Sequence, residues 1–214
     1  MRLTKYTHSC IRLDDGSGAL VIDPGTFSET QLAVAGVHAV LITHEHADHL
    51  DAPALLAAAK ADPSLQVWAP ASVALSLGVL GDRVTAVGPG ESFSAGGFSV
   101  RTFGGLHALI HPLIAPPVAN VGYLVEGAVY HPGDSFTVPP VAVETLLIPI
   151  HAPWSKVSEV IDFTAAVRAP RAFQIHDAYL SEAGGALVDR LVAMVGATYG
   201  TTYTRLSPTE SVDL

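Results

Sequence analysis

The residues with the clearest capacity for chemistry lie in one short segment, residues 43–49, which reads Thr-His-Glu-His-Ala-Asp-His. Its candidate metal ligands are His44, His46, Asp48 and His49. Imidazole and carboxylate groups both bind divalent ions, and histidine is the commonest metal ligand in proteins. In an extended backbone, residues two apart point to the same side, so His44 and His46 are placed to bind one ion. A turn after them would direct Asp48 and His49 toward a second ion. The segment therefore predicts a metal site rather than a histidine-rich surface loop.

The strand that must position this segment precedes it directly. Residues 37–43 are mostly apolar and predict a buried strand, so the candidate ligands lie on a loop at the end of a rigid element. Short apolar strands alternate with helices along the rest of the chain, without a linker or repeat between them. The other predicted strands span residues 3–7, 11–13, 19–23, 66–69, 98–103, 121–126, 128–131, 146–150, 172–175 and 203–206. The predicted helices span residues 52–60, 71–77, 156–168 and 186–195, with Asp51 and Ser155 as N-caps of the first and third.

The order of these elements predicts a single domain over residues 1–214. Strands followed by helices, twice over, imply two sheets packed as a sandwich with helices on the outer faces. The apolar content of 49% and the mean hydropathy of +0.39 are sufficient for a sizeable core. The stretch 78–97 is rich in Gly, Ser and Pro, and we assign no helix or strand to it.

Charge and cysteine content exclude several classes of protein. The net charge of -9 leaves no broad basic surface for nucleic acid or anionic lipid, and no apolar run approaches the roughly 20 residues of a membrane helix. Cys10 is the only cysteine, which excludes an internal disulfide and a cysteine-based zinc site. The N-terminus lacks the apolar segment of a secretory signal, so we expect a cytoplasmic protein. We expect a small-molecule substrate, no nucleic-acid or membrane partner, and an apolar surface suited to forming a homo-oligomer.

The His-x-His-x-Asp-His pattern resembles the signature of the metallo-β-lactamase superfamily. This resemblance implies a four-layer αβ/βα sandwich of two mixed β-sheets with helices on the outer faces and a metal site at one sheet edge. Three further ligands follow in that family, and candidates occur here in the same order: His107, Asp134 in Pro-Gly-Asp-Ser, and His176. The resemblance assigns His44, His46 and His107 to the first ion, Asp48, His49 and His176 to the second, and Asp134 to both.

Such a site implies hydrolysis. Two divalent ions that share a water would lower its pKa to about 7, and the bridging hydroxide would attack a lactone or ester-like carbonyl in a small molecule. Asp48 would orient the hydroxide and pass a proton to the leaving oxygen. Zinc suits the imidazole-rich ligand set, although manganese or iron also occupies mixed sites. Two alternatives stay open: a metal-dependent phosphodiesterase, and a non-catalytic member that binds metal and ligand.

Details around the ligands narrow the resemblance. His46 stands where flavodiiron oxidoreductases of this fold carry Glu, which disfavours redox chemistry. The segments around His8, His107 and Asp134 are similar to the subgroup that includes the bacterial ascorbate-6-phosphate lactonase, and this indicates a lactonase-like enzyme. His151 and Trp154 follow a predicted strand and are expected to line the substrate pocket. His8, Asp23 and Asp177 are candidates for orienting the ligating imidazoles. No role is assigned to His111, His131 or Lys156.

Overall fold

The computed structural model describes residues 1–114 and 116–214, and its strands form two seven-stranded sheets. The first sheet has the strand order β14-β1-β2-β3-β4-β5-β6. Its strands are β1 (Arg2–Lys5), β2 (Ile11–Asp14), β3 (Ala19–Ile22), β4 (Ala39–Leu41), β5 (Gln66–Ala69), β6 (Val84–Ala86) and β14 (Ser211–Asp213). The strands from β3 to β6 run parallel to one another, whereas β14, β1, β2 and β3 pair antiparallel.

The second sheet has the strand order β13-β12-β11-β10-β9-β8-β7. Its strands are β7 (Ser92–Ala95), β8 (Phe98–Leu106), β9 (Ala119–Val125), β10 (Val129–His131), β11 (Thr145–Pro149), β12 (Arg171–Ile175) and β13 (Thr202–Thr204). The strands from β10 to β13 are parallel, and β7 to β10 are antiparallel. Every residue of β11 is buried, as expected for a central strand of a sheet covered on both faces.

The helices are α1 (Thr30–Ala33), α2 (Ala52–Ala61), α3 (Ala71–Ser76), α4 (Val157–Val167) and α5 (Glu182–Thr198), with a 3-10 helix at Gly78–Arg83. None of the helices in the described ranges is long and apolar enough to cross a membrane. Asp51 caps α2 as predicted, because its carboxylate accepts a hydrogen bond from the Ala54 N–H at 3.0 Å.

Three apolar layers hold the sheets and helices together. The central layer lies between the two sheets and joins Leu20 and Leu41 of the first to Tyr123 and Phe173 of the second. A second layer packs α1, α2 and α3 on the outer face of the first sheet, and a third packs α4 and α5 on the second. The predicted four-layer αβ/βα sandwich of the metallo-β-lactamase fold is thus confirmed.

The main departures from the predicted elements occur where the apolar signal is weak. The stretch 78–97 contains the 3-10 helix and the strands β6 and β7, which are short, partly exposed and paired on one side only. Helix α4 takes Lys156 as its N-cap, not Ser155 as predicted, because the Lys156 N–H donates to the Glu159 side chain at 2.8 Å. The Ser155 hydroxyl bonds to the backbone of Ala152 instead.

The topology places the functional loops at one edge of the sandwich. The candidate ligands and their neighbours follow the carboxyl ends of parallel strands: residue 23 follows β3, residues 44–49 follow β4, residue 134 follows β10, residue 151 follows β11 and residue 176 follows β12. Side chains at this edge of a parallel arrangement meet in one crevice, which is where ligands bind in open α/β sheets.

Candidate metal centre

The structure brings the seven residues assigned as ligands into two adjacent groups. The first group is His44, His46, His107 and Asp134, and the second is Asp48, His49 and His176 together with His8. Within each group, one nitrogen or carboxylate oxygen of every residue lies within 4.8 Å of those of the others. We call the seven predicted residues, without His8, the ligand cluster.

The Asp134 carboxylate contacts both groups. Its Oδ2 lies 3.2 Å from His107 Nε2 in the first group and 3.0 Å from His176 Nε2 in the second, and its Oδ1 lies 3.0 Å from His49 Nε2. This is the position that a bridging carboxylate needs. Gly133 makes it possible, because its φ of 63° is left-handed and a Cβ there would collide with Asn120 Oδ1. The same Asn120 oxygen accepts the Asp134 N–H at 3.0 Å and fixes the turn.

The unpaired atoms of the ligand cluster fit a divalent ion. His49 Nε2, His107 Nε2, His176 Nε2 and Asp134 Oδ1 are buried, and although the nitrogens lie 3.0–3.2 Å from the Asp134 oxygens, none of these atoms has the geometry of a hydrogen bond in the described part of the chain. An unsatisfied buried polar group costs about 1–3 kcal/mol, so four of them at one point are costly unless another group binds them. Three imidazole nitrogens around a carboxylate form a donor set that divalent transition metals prefer.

The hydrogen bonds on the far side of each ring orient the imidazoles for metal binding. The Nδ1–H of His49 donates to Asp23 Oδ2 (2.6 Å), that of His107 to the Ala108 carbonyl (2.5 Å) and that of His176 to the His151 carbonyl (2.6 Å). A neutral imidazole has one N–H, so in its neutral form each of these rings presents the lone pair of Nε2 to the cluster. His49 reaches that form when an ion displaces its second proton.

Asp23 contacts one candidate ligand directly and a second through Thr43; its role in orienting a ligating imidazole stays a prediction. It binds His49 directly, and its carboxylate also accepts the Thr43 N–H and hydroxyl, both at 2.7 Å. The Thr43 oxygen is thereby free to accept from His44 Nδ1 at 3.0 Å. Asp23 therefore reaches His44 through Thr43, a link that no pattern in the sequence indicated. Its φ of 52° is left-handed and is held by this network.

The electrostatics of the cluster favour metal binding. Burial lowers the pKa of His44 and His46, which keeps both rings neutral. Burial opposes ionisation of Asp48, but a hydrogen bond from His8 and the neighbouring histidines outweigh it and lower its pKa to about 2. Burial likewise disfavours charge on His49, yet Asp134 and Asp23 raise its pKa well above the ordinary value. The carboxylates of Asp23 and Asp134 thus stabilise a positive charge beside them. Without metal this charge is the extra proton on His49, and an ion that binds His49 must displace that proton.

Comparison with known proteins agrees with this geometry. A family model described as a beta-lactamase superfamily domain matches residues 2–176. The chain belongs to the beta-lactamase superfamily. Protein Rv0786c of Mycobacterium tuberculosis is 38% identical to it over 200 residues, which cover 91% of this chain and 92% of that protein. A UPF0173 metal-dependent hydrolase of Agrobacterium fabrum is 30% identical over 151 residues, 63% of each chain.

Solved structures of this superfamily fold are similar over the whole chain. Igni18, described as a metallo hydrolase from the archaeon Ignicoccus hospitalis, superposes with a TM-score of 0.75. The match covers 99% of this chain and 97% of that one at 18% sequence identity, so it supports the fold alone.

Trp154 and His151 are the two residues predicted to line the substrate pocket. The side chain of Trp154 contacts the ligand cluster. Its indole N–H donates to Asp134 Oδ2 at 3.0 Å, and its ring lies 6.0 Å from that of His107. His151 contributes its backbone carbonyl to His176, and its half-buried ring has no hydrogen bond to another residue in the described ranges. A role of either residue in substrate binding stays a prediction.

The predicted contact of Asp177 with a ligating imidazole is wrong. Asp177 binds Lys5 Nζ at 3.4 Å and Arg205 at 2.8 Å, with Gln174 also in contact at 3.4 Å. These cations attract the carboxylate, and the His151 carbonyl already occupies the N–H of His176 that Asp177 was expected to accept.

Three residues without an assigned role now have a place in the structure. His131 is buried, donates from Nε2 to the Ser9 carbonyl (2.9 Å) and accepts the Gly133 N–H at Nδ1 (3.1 Å), so it ties the turn before Asp134 to the β1–β2 loop. No sequence signal distinguished it from a ligand. His111 is exposed, and Lys156 is the exposed N-cap of α4.

An aromatic pair borders the second group. The rings of Phe27 and Tyr179 lie 5.2 Å apart and pack edge-on against His8 at 5.3 and 5.6 Å. Both are substantially exposed, by 41% and 52%, so they form part of the surface beside the cluster. Sequence reasoning gave Phe27 no role, because a single Phe near a turn carries no functional pattern.

Proposed function

We propose that the protein is a metal-dependent hydrolase with two divalent ions that cleaves a lactone or ester-like bond in a small organic molecule. One observation carries the proposal: two groups of ligands share the carboxylate of Asp134, and the buried Nε2 atoms of His49, His107 and His176 have no hydrogen bond within the described residues. The name of one similar protein, a metal-dependent hydrolase of Agrobacterium fabrum, supports the same reaction class.

The roles of the chain's own residues follow from their positions. The ligand cluster would hold two ions, which when bound would supply a shared water of lowered pKa, near about 7, and a Lewis acid for the scissile carbonyl. Asp48 has a side chain that is 17% exposed and lies 3.8 Å from His176 Nε2, so it borders both the ligands and solvent. It is therefore placed to orient the attacking water and to carry a proton to the leaving oxygen. Trp154 holds Asp134 Oδ2 through its indole N–H at 3.0 Å.

The surroundings favour a carbonyl substrate over a phosphodiester. In residues 1–114 and 116–214 the salt-bridge partners of Asp23, Asp48 and Asp134 are all histidines, and no Lys or Arg is among them. A phosphate group is usually bound by such cations. The border of the site is aromatic at Phe27 and Tyr179, and the loop after His107 exposes Leu109 and Ile110. An uncharged, partly apolar organic group suits this surface.

The remaining expectations stay proposals. Zinc is the ion we propose from the imidazole-rich ligands, with manganese or iron as the alternatives. We propose that the enzyme acts in the cytoplasm on a free small molecule, as the composition predicts, and that it needs no nucleic-acid or membrane partner. Self-association through an apolar surface is compatible with this role.

The experiment that tests the proposal measures proton release from a panel of lactones, sugar-phosphate lactones, carboxylic esters and a phosphodiester. Protein reloaded with zinc or manganese is compared with a chelated sample and with the variant Asp48→Asn. The exposed Asp162→Asn on α4 serves as a matched control for the loss of one negative charge.

Each outcome decides between the candidate functions. Metal-dependent acid production from a lactone or ester, lost in Asp48→Asn and kept in Asp162→Asn, would support the proposal. Turnover of the phosphodiester alone would replace it with a phosphodiesterase. Tight binding of two ions and of a panel compound without turnover would favour the non-catalytic alternative.

A further inference from the structure

The ring of His8 is completely buried and is held from several directions. His8 lies on the loop between β1 and β2 in a left-handed conformation with φ 65°, and its carbonyl accepts the His176 N–H at 3.2 Å. Its ring packs on that of His176 at a centroid distance of 4.1 Å, and the Phe27 and Tyr179 rings cover it. Close packing on these sides opposes a flip of the ring, so its two nitrogens keep different partners.

The backbone of Ala178 determines which nitrogen of His8 carries the hydrogen. The Ala178 N–H donates to His8 Nδ1 at 3.2 Å, and an amide N–H has no capacity to accept. Nδ1 therefore carries a lone pair, and the neutral ring has its hydrogen on Nε2. His8 Nε2 lies 3.2 Å from Asp48 Oδ2, so this N–H donates to the carboxylate.

The candidate ligands show the opposite arrangement. His49, His107 and His176 each donate from Nδ1 to a carboxylate or carbonyl oxygen, so in the neutral ring the lone pair of Nε2 faces the cluster. His8 lies close enough to Asp48, His49 and His176 to complete a four-residue group, but its Nε2 has no free lone pair for an ion. Proximity alone would make it a fourth ligand, whereas the hydrogen bonds make it a donor.

We propose that His8 is a positioning residue that binds no metal ion and fixes the Asp48 carboxylate through its Nε2–H. Asp48 stands on a turn and its side chain is 17% exposed, so without this bond it is free to rotate toward solvent. The hydrogen bond holds Oδ2, which lies 3.8 Å from His176 Nε2, and so keeps the carboxylate beside the second group of ligands. The affinity of the second ion depends on this directly, and the rate of the reaction depends on it if the proposed function is correct.

Two substitutions separate donation from coordination. In His8→Asn the amide oxygen takes the place of Nδ1 and accepts from Ala178, but no donor reaches Asp48; Asn also tolerates the left-handed backbone. In His8→Gln the amide N–H takes the place of Nε2 and keeps the donor. We measure zinc stoichiometry and the dissociation constant of each ion by competition with a chelator, with the exposed His111→Asn as control. The same zinc-loaded wild-type protein gives the ring tautomer through long-range proton–nitrogen NMR of His8.

We expect His8→Asn to weaken the second ion by about 10–100-fold, the usual cost of losing a group that orients a ligand, while the first ion is unaffected. We expect His8→Gln to restore most of that affinity, and the spectrum to show a protonated Nε2 and a bare Nδ1. A metal-bound Nε2 in the spectrum, or equal loss of the second ion in both variants, would overturn the proposal. Unchanged zinc affinity in His8→Asn would do so as well. Neither the zinc affinity nor the NMR spectrum requires a substrate. The test of His8 therefore gives a result even if no compound of the hydrolysis panel is cleaved.

Discussion

Two groups of ionisable residues lie side by side in this molecule, one buried and one partly exposed, and they differ in how their polar atoms are paired. The ligand cluster contains carboxylates and imidazoles, with four buried atoms that have no hydrogen-bond partner in the described residues. The salt-bridge cluster, formed by Lys5, Asp177, Asp189 and Arg205, begins one residue after His176, and each of its carboxylates is paired with a cation.

Among the described residues, the presence of unpaired polar atoms in one cluster and their absence from the other distinguish a binding site from a group of ion pairs that stabilises the fold. Buried polar atoms are normally satisfied, so unpaired ones gathered at one point indicate a group that binds there. The salt-bridge cluster has no such deficit, since Asp177 binds Lys5 and Arg205 while Arg205 also binds Asp189 at 2.5 Å. Metal binding should therefore respond strongly to substitutions in the first cluster and hardly at all to those in the second.

The largest effect on metal binding is expected for Asp134→Ala. Asp134 contacts ligands of both groups, so its loss should remove both ions and lower kcat/KM by more than the about 100-fold typical of an outer partner. Elemental analysis and kinetics on the same preparation check this. Retention of two tightly bound ions per chain would show that the carboxylate does not bridge.

A selective loss is expected when one ligand of one group is removed. His44→Ala should lose the ion of the first group and His176→Ala that of the second, because each ring belongs to one group only. Both variants should lose activity. Titration with a chromophoric chelator counts the ions that remain, and full metal occupancy in His44→Ala would refute the ligand assignment.

A moderate effect is expected for Asp23→Asn. An amide in place of the carboxylate weakens the hydrogen bonds to His49 and Thr43, so the affinity of both ions should fall by about 10–100-fold. Competition with a chelator measures it. Asp14→Asn, which removes a carboxylate from the far end of β2, is the matched control and should bind both ions as the wild type does.

The smallest effect on metal binding is expected for Asp177→Asn, whose cost is in stability instead. The variant leaves the buried Lys5 ammonium without a carboxylate, and the free energy of unfolding should fall by about 3 kcal/mol. Urea denaturation of metal-free protein measures this. The double variant Lys5→Met/Asp177→Asn should recover part of the loss, and a marked drop in zinc affinity would contradict the separation of the two clusters.

The same pair predicts a pH dependence. Burial tends to raise the pKa of Asp177, but the charges of Lys5 and Arg205 outweigh it and hold the pKa below the ordinary value. Its stabilising contribution is therefore complete above the ordinary Asp pKa of about 4 and is lost as the pH falls through the lowered value. The stability difference between wild type and Asp177→Asn should narrow below pH about 4. A difference that stays constant to lower pH would show that the ion pair contributes nothing.

Local patterns in the sequence determined much of the fold and the first part of the site. The apolar runs located the central strands, and the cap at Asp51 located α2, because these signals are contained in a few neighbouring residues. His44, His46, Asp48 and His49 stand on one loop, so their grouping could be predicted from their spacing. His107, Asp134 and His176 could be assigned only through the resemblance to a family, since they come from three distant strand ends.

Only the tertiary structure decided how the surroundings of the ligands are arranged. His8 and Asp177 were both predicted to orient a ligating imidazole. In the structure the His8 ring donates to Asp48, whereas the Asp177 carboxylate pairs with Lys5 and Arg205. The sequence has no signal for this difference, because the partner of each side chain depends on which donor or cation from a distant part of the chain lies next to it in the folded protein. The link from Asp23 through Thr43 to His44 has the same origin. Residue types determined which chemistry is available, and packing between the two sheets determined which atom carries each hydrogen.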